Sequence, residues 1–202
     1  MNIQLSGQTL ETRTMKTVTV KTPEDLERVN KALKRKFQDK KLIFGSGSVP
    51  AKLVIVSEIP GLEEERNARP LAGNSEKILN QVLKTIGVNR KNVYVTNVVK
   101  YFPTTGKLPS PKEIKSHATF LREEIKTLNP QVVVTLGNIA LNGVGLRQPL
   151  DNVHGRTFNF GSYELIPTFH PFHAAKDPQI KTRMTTDLAK LKELLKKKPV
   201  VE

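Results

Sequence analysis

Two rhythms of apolar and polar residues run along this chain. Short unbroken apolar runs, KLVIVS at 52–57, NVYVTNVV at 92–99 and QVVVTL at 131–136, are separated by polar and Gly-containing stretches. Runs of this length with no polar face predict strands buried on both sides of a sheet. Between them the spacing becomes helical. Ile78, Leu79, Val82, Leu83 and Ile86 form one stripe within 75–86, and Gly87 stops it. Ile114, Ala118, Leu121 and Ile125 form another after Ser110 and Pro111, with Glu113 at the capping-box position. An earlier stripe, Leu26, Val29, Leu33 and Phe37, follows Thr22 as cap and Pro23 as first helical residue. Met184, Leu188, Leu191 and Leu195 predict a final helix over roughly 180–198. Gly137 opens a short helix through Asn142. RTFNF at 156–160 and YELIPTF at 163–169 flank Gly161-Ser162, a hairpin signature whose second arm supplies a fourth core strand. KTVTVK at 16–21 alternates like a short strand, while 42–51 and 58–73 read as loops.

Strands alternating with helices predict an α/β fold: a central four-stranded, mostly parallel sheet flanked by helices on both faces. Residues 1–15 read as a flexible N-terminal extension and 16–202 as a single domain, with no internal repeat. No apolar run approaches the length needed to cross a bilayer, and the N-terminus lacks the pattern of a signal peptide, so a soluble, cytoplasmic protein is expected. The absence of cysteine excludes disulfides, thiolate metal sites and cysteine nucleophiles. The charge changes the picture most. Lys plus Arg number 33 against 19 Asp plus Glu, a net +14, which suits a polyanionic partner such as nucleic acid. The basic end KLKELLKKK at 190–198 reads as a solvated face.

In parallel α/β sheets the ligand lies outside the carboxyl ends of the strands. The residues leaving the four strands are SEIPG at 57–61, TNVVK at 96–100, LGNIA at 136–140 and TFHPF at 168–172. Glu58, Asn97, a glycine-opened helix start and His170 should therefore face one cleft. Asn97 inside an apolar strand needs partners, because an unpaired buried amide costs about 1–3 kcal/mol. His170 and His173 have the spacing of a metal pair, but a third ligand is missing, since His117 and His154 lie in unrelated motifs. No metal and no cofactor are expected.

The motifs SEIPGLEEE, RPLAG, TNVVK, a TLG strand end and PTFHP, in this order and over about residues 42–195, resemble the uracil-DNA glycosylase superfamily, and within it family four, the thermostable type. The resemblance implies a DNA-repair enzyme that flips out a deaminated base and hydrolyses its N-glycosidic bond. It places His170 as the neutral hydrogen-bond donor to the uracil 2-carbonyl oxygen, and Asn97 as the reader of the uracil edge. Glu58 and Ile59 match the motif that shapes the pocket floor and holds the attacking water, with Glu58 or Asn97 as the water's orienter. Gly61 lets backbone approach the ligand, and Leu71 stands where the family has the aromatic that stacks on the base. Pro171, Phe172, His173 and Lys176 match the loop that wedges into DNA. Pro60 and the Gly/Ser loop with Ser46 match the backbone-pinching loops. Lys100, Arg69, Arg156 and Lys176 are candidate phosphate contacts.

Family four also binds an iron–sulfur cluster through cysteines. Here Tyr101 follows TNVVK where the family has cysteine, and His117 stands at another cysteine position. A compensating apolar patch around Phe37, Tyr101 and His117 is expected in its place. The expected substrate is DNA containing uracil and the expected state a monomer. Two alternatives stay open: a glycosylase for another deaminated base such as hypoxanthine, and a catalytically silent nucleic-acid-binding module.

Overall fold

The apolar runs assemble into one sheet. The computed structural model describes residues 23–103 and 108–196, so the expected strand at 16–21, the cap at Thr22 and the extension 1–15 lie outside the described residues. The chain order is α1 (Pro23–Lys36), β1 (Ser46–Gly47), β2 (Leu53–Ser57), α2 (Leu62–Asn67), α3 (Gly73–Thr85), β3 (Val93–Asn97), α4 (Pro111–Leu128), β4 (Val132–Leu136), α5 (Asn138–Val144), α6 (Leu150–Val153), β5 (Phe158–Asn159), β6 (Glu164–Thr168), α7 (Pro171–Ala174), α8 (Pro178–Leu188) and α9 (Leu191–Leu194).

The sheet order is β1-β3-β2-β4-β6-β5. The four expected core strands, β3, β2, β4 and β6, are parallel. Two antiparallel two-residue strands extend it, making six rather than four. One is β1, within a stretch expected to be loop, and the other is β5, the first arm of the expected hairpin.

Alternate residues of each strand feed two cores. Val54, Val56, Tyr94, Val133 and Leu165 pack with Leu121 and Ile125 of α4 and Leu141 of α5. Leu53, Ile55, Val95, Val134 and Ile166 pack with Leu79, Val82 and Leu83 of α3 and Met184 and Leu188 of α8. Burial on both faces is why these strands carry no polar alternation.

Capping fixes where α4 begins. Ser110 Oγ accepts from the Glu113 N–H, and the Glu113 carboxylate accepts from the Ser110 N–H at 2.8 Å, as the sequence predicts. Two expectations fail. The stretch 58–73 holds α2, which buries none of its residues and so leaves no apolar stripe to detect. Glu64 holds it instead, one oxygen accepting from Gly61 N–H at 2.9 Å and the other from Ala72 N–H at 3.0 Å. The last helix is also broken, between Leu188 and Leu191. Lys190 at the break donates to the Gly155 carbonyl at 2.6 Å. No helix among the described residues is long and apolar enough to cross a membrane.

Candidate active site

Ser57 and Asn97 are register partners at the ends of the parallel strands β2 and β3, so their side chains project from the same face. Two residues beyond β6, His170 reaches the same place, its Nε2 lying 2.8 Å from Ser57 Oγ. The other ring nitrogen, Nδ1, accepts from the Phe172 N–H at 3.1 Å. A nitrogen that accepts carries no proton, so the neutral ring holds its proton on Nε2 and donates it to Ser57. Burial, with some help from His173, pulls the His170 pKa down to about 4. The imidazole is therefore a neutral, oriented Nε2–H donor at neutral pH.

Asn97 is buried, at 1% exposure, and its Nδ2 has no hydrogen-bond partner among the described residues. An amide so placed is costly unless something accepts from it. Glu58 follows Ser57, and its Oε1 accepts from the Ile139 N–H at 2.8 Å. The cap residue of α5 is Gly137, which has no side chain, so Glu58, just past the end of β2, supplies the missing cap. A methyl group at Gly137 would collide with that carboxylate. Burial pushes the Glu58 carboxyl up, opposed by the Ile139 N–H and by nearby His173. The Gly137 N–H in turn donates to the Thr168 carbonyl at 2.9 Å. The ends of β2, β4 and β6 are thus stitched together, with Ser57 in register with Asn97 and bonded to His170, and Glu58 next to Ser57 in the chain.

Around this centre the other candidates sort by exposure. Phe172 is 52% exposed on α7, with the Lys176 ammonium 4.8 Å from its ring centroid and the His173 ring edge-on to it. His173, Lys176 and Arg156 are exposed, and Ser46 is half-buried in the edge strand β1. Ile59 and Gly61 are half-buried at the start of the α2 loop. Leu71 is 2% exposed and packs in the core under α3, with a left-handed φ of 50°.

The model of the uracil DNA glycosylase superfamily matches residues 44–192 of the chain. The chain belongs to this superfamily. Among named relatives, the type-4 uracil-DNA glycosylase of Thermotoga maritima is 33% identical over 161 residues, covering 77% of this chain and 84% of that protein. The type-4 enzyme of Saccharolobus solfataricus is 29% identical over 80% of this chain and 79% of its own. A DNA polymerase of Bacillus phage SP01 is 30% identical over 155 residues, covering 76% of this chain and 17% of the polymerase.

Within this glycosylase scaffold four expected DNA contacts are corrected. Lys100 is 2% exposed, and its ammonium lies 2.5 Å from Glu124 Oε2 and also donates to Thr96 Oγ1. No phosphate can reach it. Pro60 and Pro171 are buried too, so they shape loops rather than touch DNA. Arg69 is bound bidentately by Glu76, at 2.5 and 2.7 Å, and holds the RPLAG loop onto α3. Three residues at the site escaped sequence reasoning: Ser57, Thr168 and Asp187. The first two are polar positions at the very ends of apolar strands, which was the available signal.

The iron–sulfur cluster of family four does not fit this glycosylase. The chain has no cysteine, and the rings of Phe37, Tyr101 and His117 pack against one another. His117 stacks on Phe37 at 4.0 Å with 8° between planes, and Tyr101 lies 5.4 Å from His117. The purified protein is expected to show no iron signal, and detection of stoichiometric iron would contradict this. His117 is fully buried with neither ring nitrogen partnered among the described residues, and burial lowers its pKa to about 4. His117 and His170 are thus both held neutral well below the ordinary value of about 6.5. As pH falls from about 6.5 towards about 4, the unfolded chain takes up protons the fold refuses, so stability drops across that window. Thermal midpoints against pH should show this slope, and His117→Phe should flatten it.

Proposed function

We propose that this protein excises uracil from DNA by hydrolysing the N-glycosidic bond of a flipped nucleotide. The observation that carries the reading is His170, a neutral ring with its proton oriented on Nε2 toward Ser57, the register partner of the buried Asn97. As the bond to C1′ breaks, its electron pair passes to the base and charge builds on the 2-carbonyl oxygen. A preorganised neutral donor stabilises that charge, with Nε2–H leaving Ser57 for the base. Asn97 accepts from the uracil N3–H and donates through its unpartnered Nδ2 to the 4-carbonyl oxygen. Cytosine presents the reverse pattern there and is rejected.

Water supplies the hydroxyl that ends on C1′, and its remaining proton passes through solvent to the departing uracil anion. Glu58 Oε1 is committed to Ile139, so Oε2 is the oxygen left to orient that water. Ile59 and Gly61 line the floor and Leu71 backs it, contributing bulk rather than a stacking ring. Phe172, the most exposed aromatic near the site, is the wedge that fills the gap in the duplex, with His173 beside it. Lys176, Arg156 and Ser46 meet the phosphate backbone. The uracil activity in the relatives' names favours uracil over hypoxanthine and over a silent binder. The protein acts as a monomer inside the cell.

Labelled oligonucleotides carrying uracil, hypoxanthine or thymine opposite each base, treated with the protein and then alkali, test the reading. Strand breaks are expected at uracil and not at thymine. Intact strands with all three would sink it.

A further inference from the structure

We propose that Asp187 on α8 is a positioning residue for His170, acting through Thr168 and His154. The inference rests on the reading of His170 given above. Asp187 is buried, and its Oδ2 accepts from the Thr168 hydroxyl at 2.6 Å. Its two oxygens also lie 3.0 and 3.1 Å from His154 Nδ1. Thr168 is the last residue of β6, fully buried and two residues before His170.

The three residues at this strand end are each held by a different group. Thr168 is tied to Asp187 by its side chain and to the Gly137 N–H by its carbonyl. The Phe169 ring lies 4.7 Å from the His154 ring, with the Arg183 guanidinium of α8 at 5.9 Å. His170 is fixed by Ser57 and by the Phe172 N–H. Asp187 contacts two of these supports directly, Thr168 and His154. Gly155 shows how closely the hub is packed. Its N–H donates to the Pro167 carbonyl at 2.8 Å, and a methyl group there would come within 2.5 Å of Asp187 Oδ1. A short polar chain therefore runs from α8 to the strand end that aims the Nε2–H. A donor displaced by even one ångström loses much of its effect on developing charge.

The test is steady-state and single-turnover cleavage of a uracil oligonucleotide by Asp187→Ala, Asp187→Asn, Thr168→Val and His170→Ala. NMR of the His170 Nε2–H signal accompanies the kinetics. Asp187→Ala and Thr168→Val should lower kcat by about tenfold to a hundredfold, with KM for DNA changed by less than about threefold. The Nε2–H signal, sharp in the parent protein, should broaden or vanish in both. Asp187→Asn keeps an oxygen for Thr168 and should recover most of the rate. If Asp187→Ala fails to fold, Thr168→Val still decides, because it removes only a hydroxyl. Parent-like kcat and an unchanged Nε2–H signal in Thr168→Val, with His170→Ala inactive, would overturn the positioning role alone. Full activity in His170→Ala would overturn the functional reading and this inference with it.

Discussion

His170→Ala is expected to slow uracil release by about 10²–10³-fold, the usual effect of removing one oriented donor at a developing oxyanion. The change is expected in the single-turnover rate rather than in DNA affinity. The exposed groups Phe172, Lys176 and Arg156, proposed to hold the duplex, remain in place. His170→Gln is a useful companion, because its amide can donate from near the Nε2 position and should retain part of the rate. Single-turnover cleavage under excess enzyme, with affinity measured separately, checks both. A parent-like rate in His170→Ala would remove the central element of the mechanism. A loss confined to binding would instead make His170 part of the DNA-contacting surface.

Lys100→Ala is expected to cost about 3–5 kcal/mol of stability, because it leaves the Glu124 carboxylate buried without its cation. Glu124 is 1% exposed and also accepts from the Tyr94 hydroxyl at 2.9 Å and from Thr96. Those neutral donors do not balance the charge. Replacing Lys100 and Glu124 together by Met and Leu should be far milder, since it removes both charges and keeps the volume. Urea unfolding of the single and double variants gives the comparison. At the same time the salt dependence of DNA binding should be unchanged in whatever fraction stays folded. A true phosphate contact would reduce the log–log salt slope by about 0.9 on removal. A stable Lys100→Ala protein with such a reduced slope would place Lys100 at the DNA after all.

Lys100 also shows where reading the chain by itself stops. In TNVVK it looks like an exposed cation leaving a strand. Its partner is 24 residues away on α4, and nothing local announces the pairing. Pro60 and Pro171 fail for a related reason: a loop's sequence says that it turns, not which side of the turn faces solvent. The helix α2 was hidden because it buries nothing, and periodicity can only report burial.

By contrast, the sequence alone determined the four parallel strands, the helices that cover them and the placing of Glu58, Asn97 and His170 at or just beyond the strand ends. Those features follow from local period, capping chemistry and the geometry of parallel sheets, all of which are written within a few residues. Only the tertiary structure decided which nitrogen of His170 carries the proton. That depends on Ser57, 113 residues earlier, and on the Phe172 amide beyond the turn. It likewise decided that Glu58 caps α5 and that Asp187 holds the strand end. These are contacts between elements far apart in the chain. A hydrogen bond of that kind is fixed by how the layers pack, and packing is a property of the whole fold rather than of any one stretch of it.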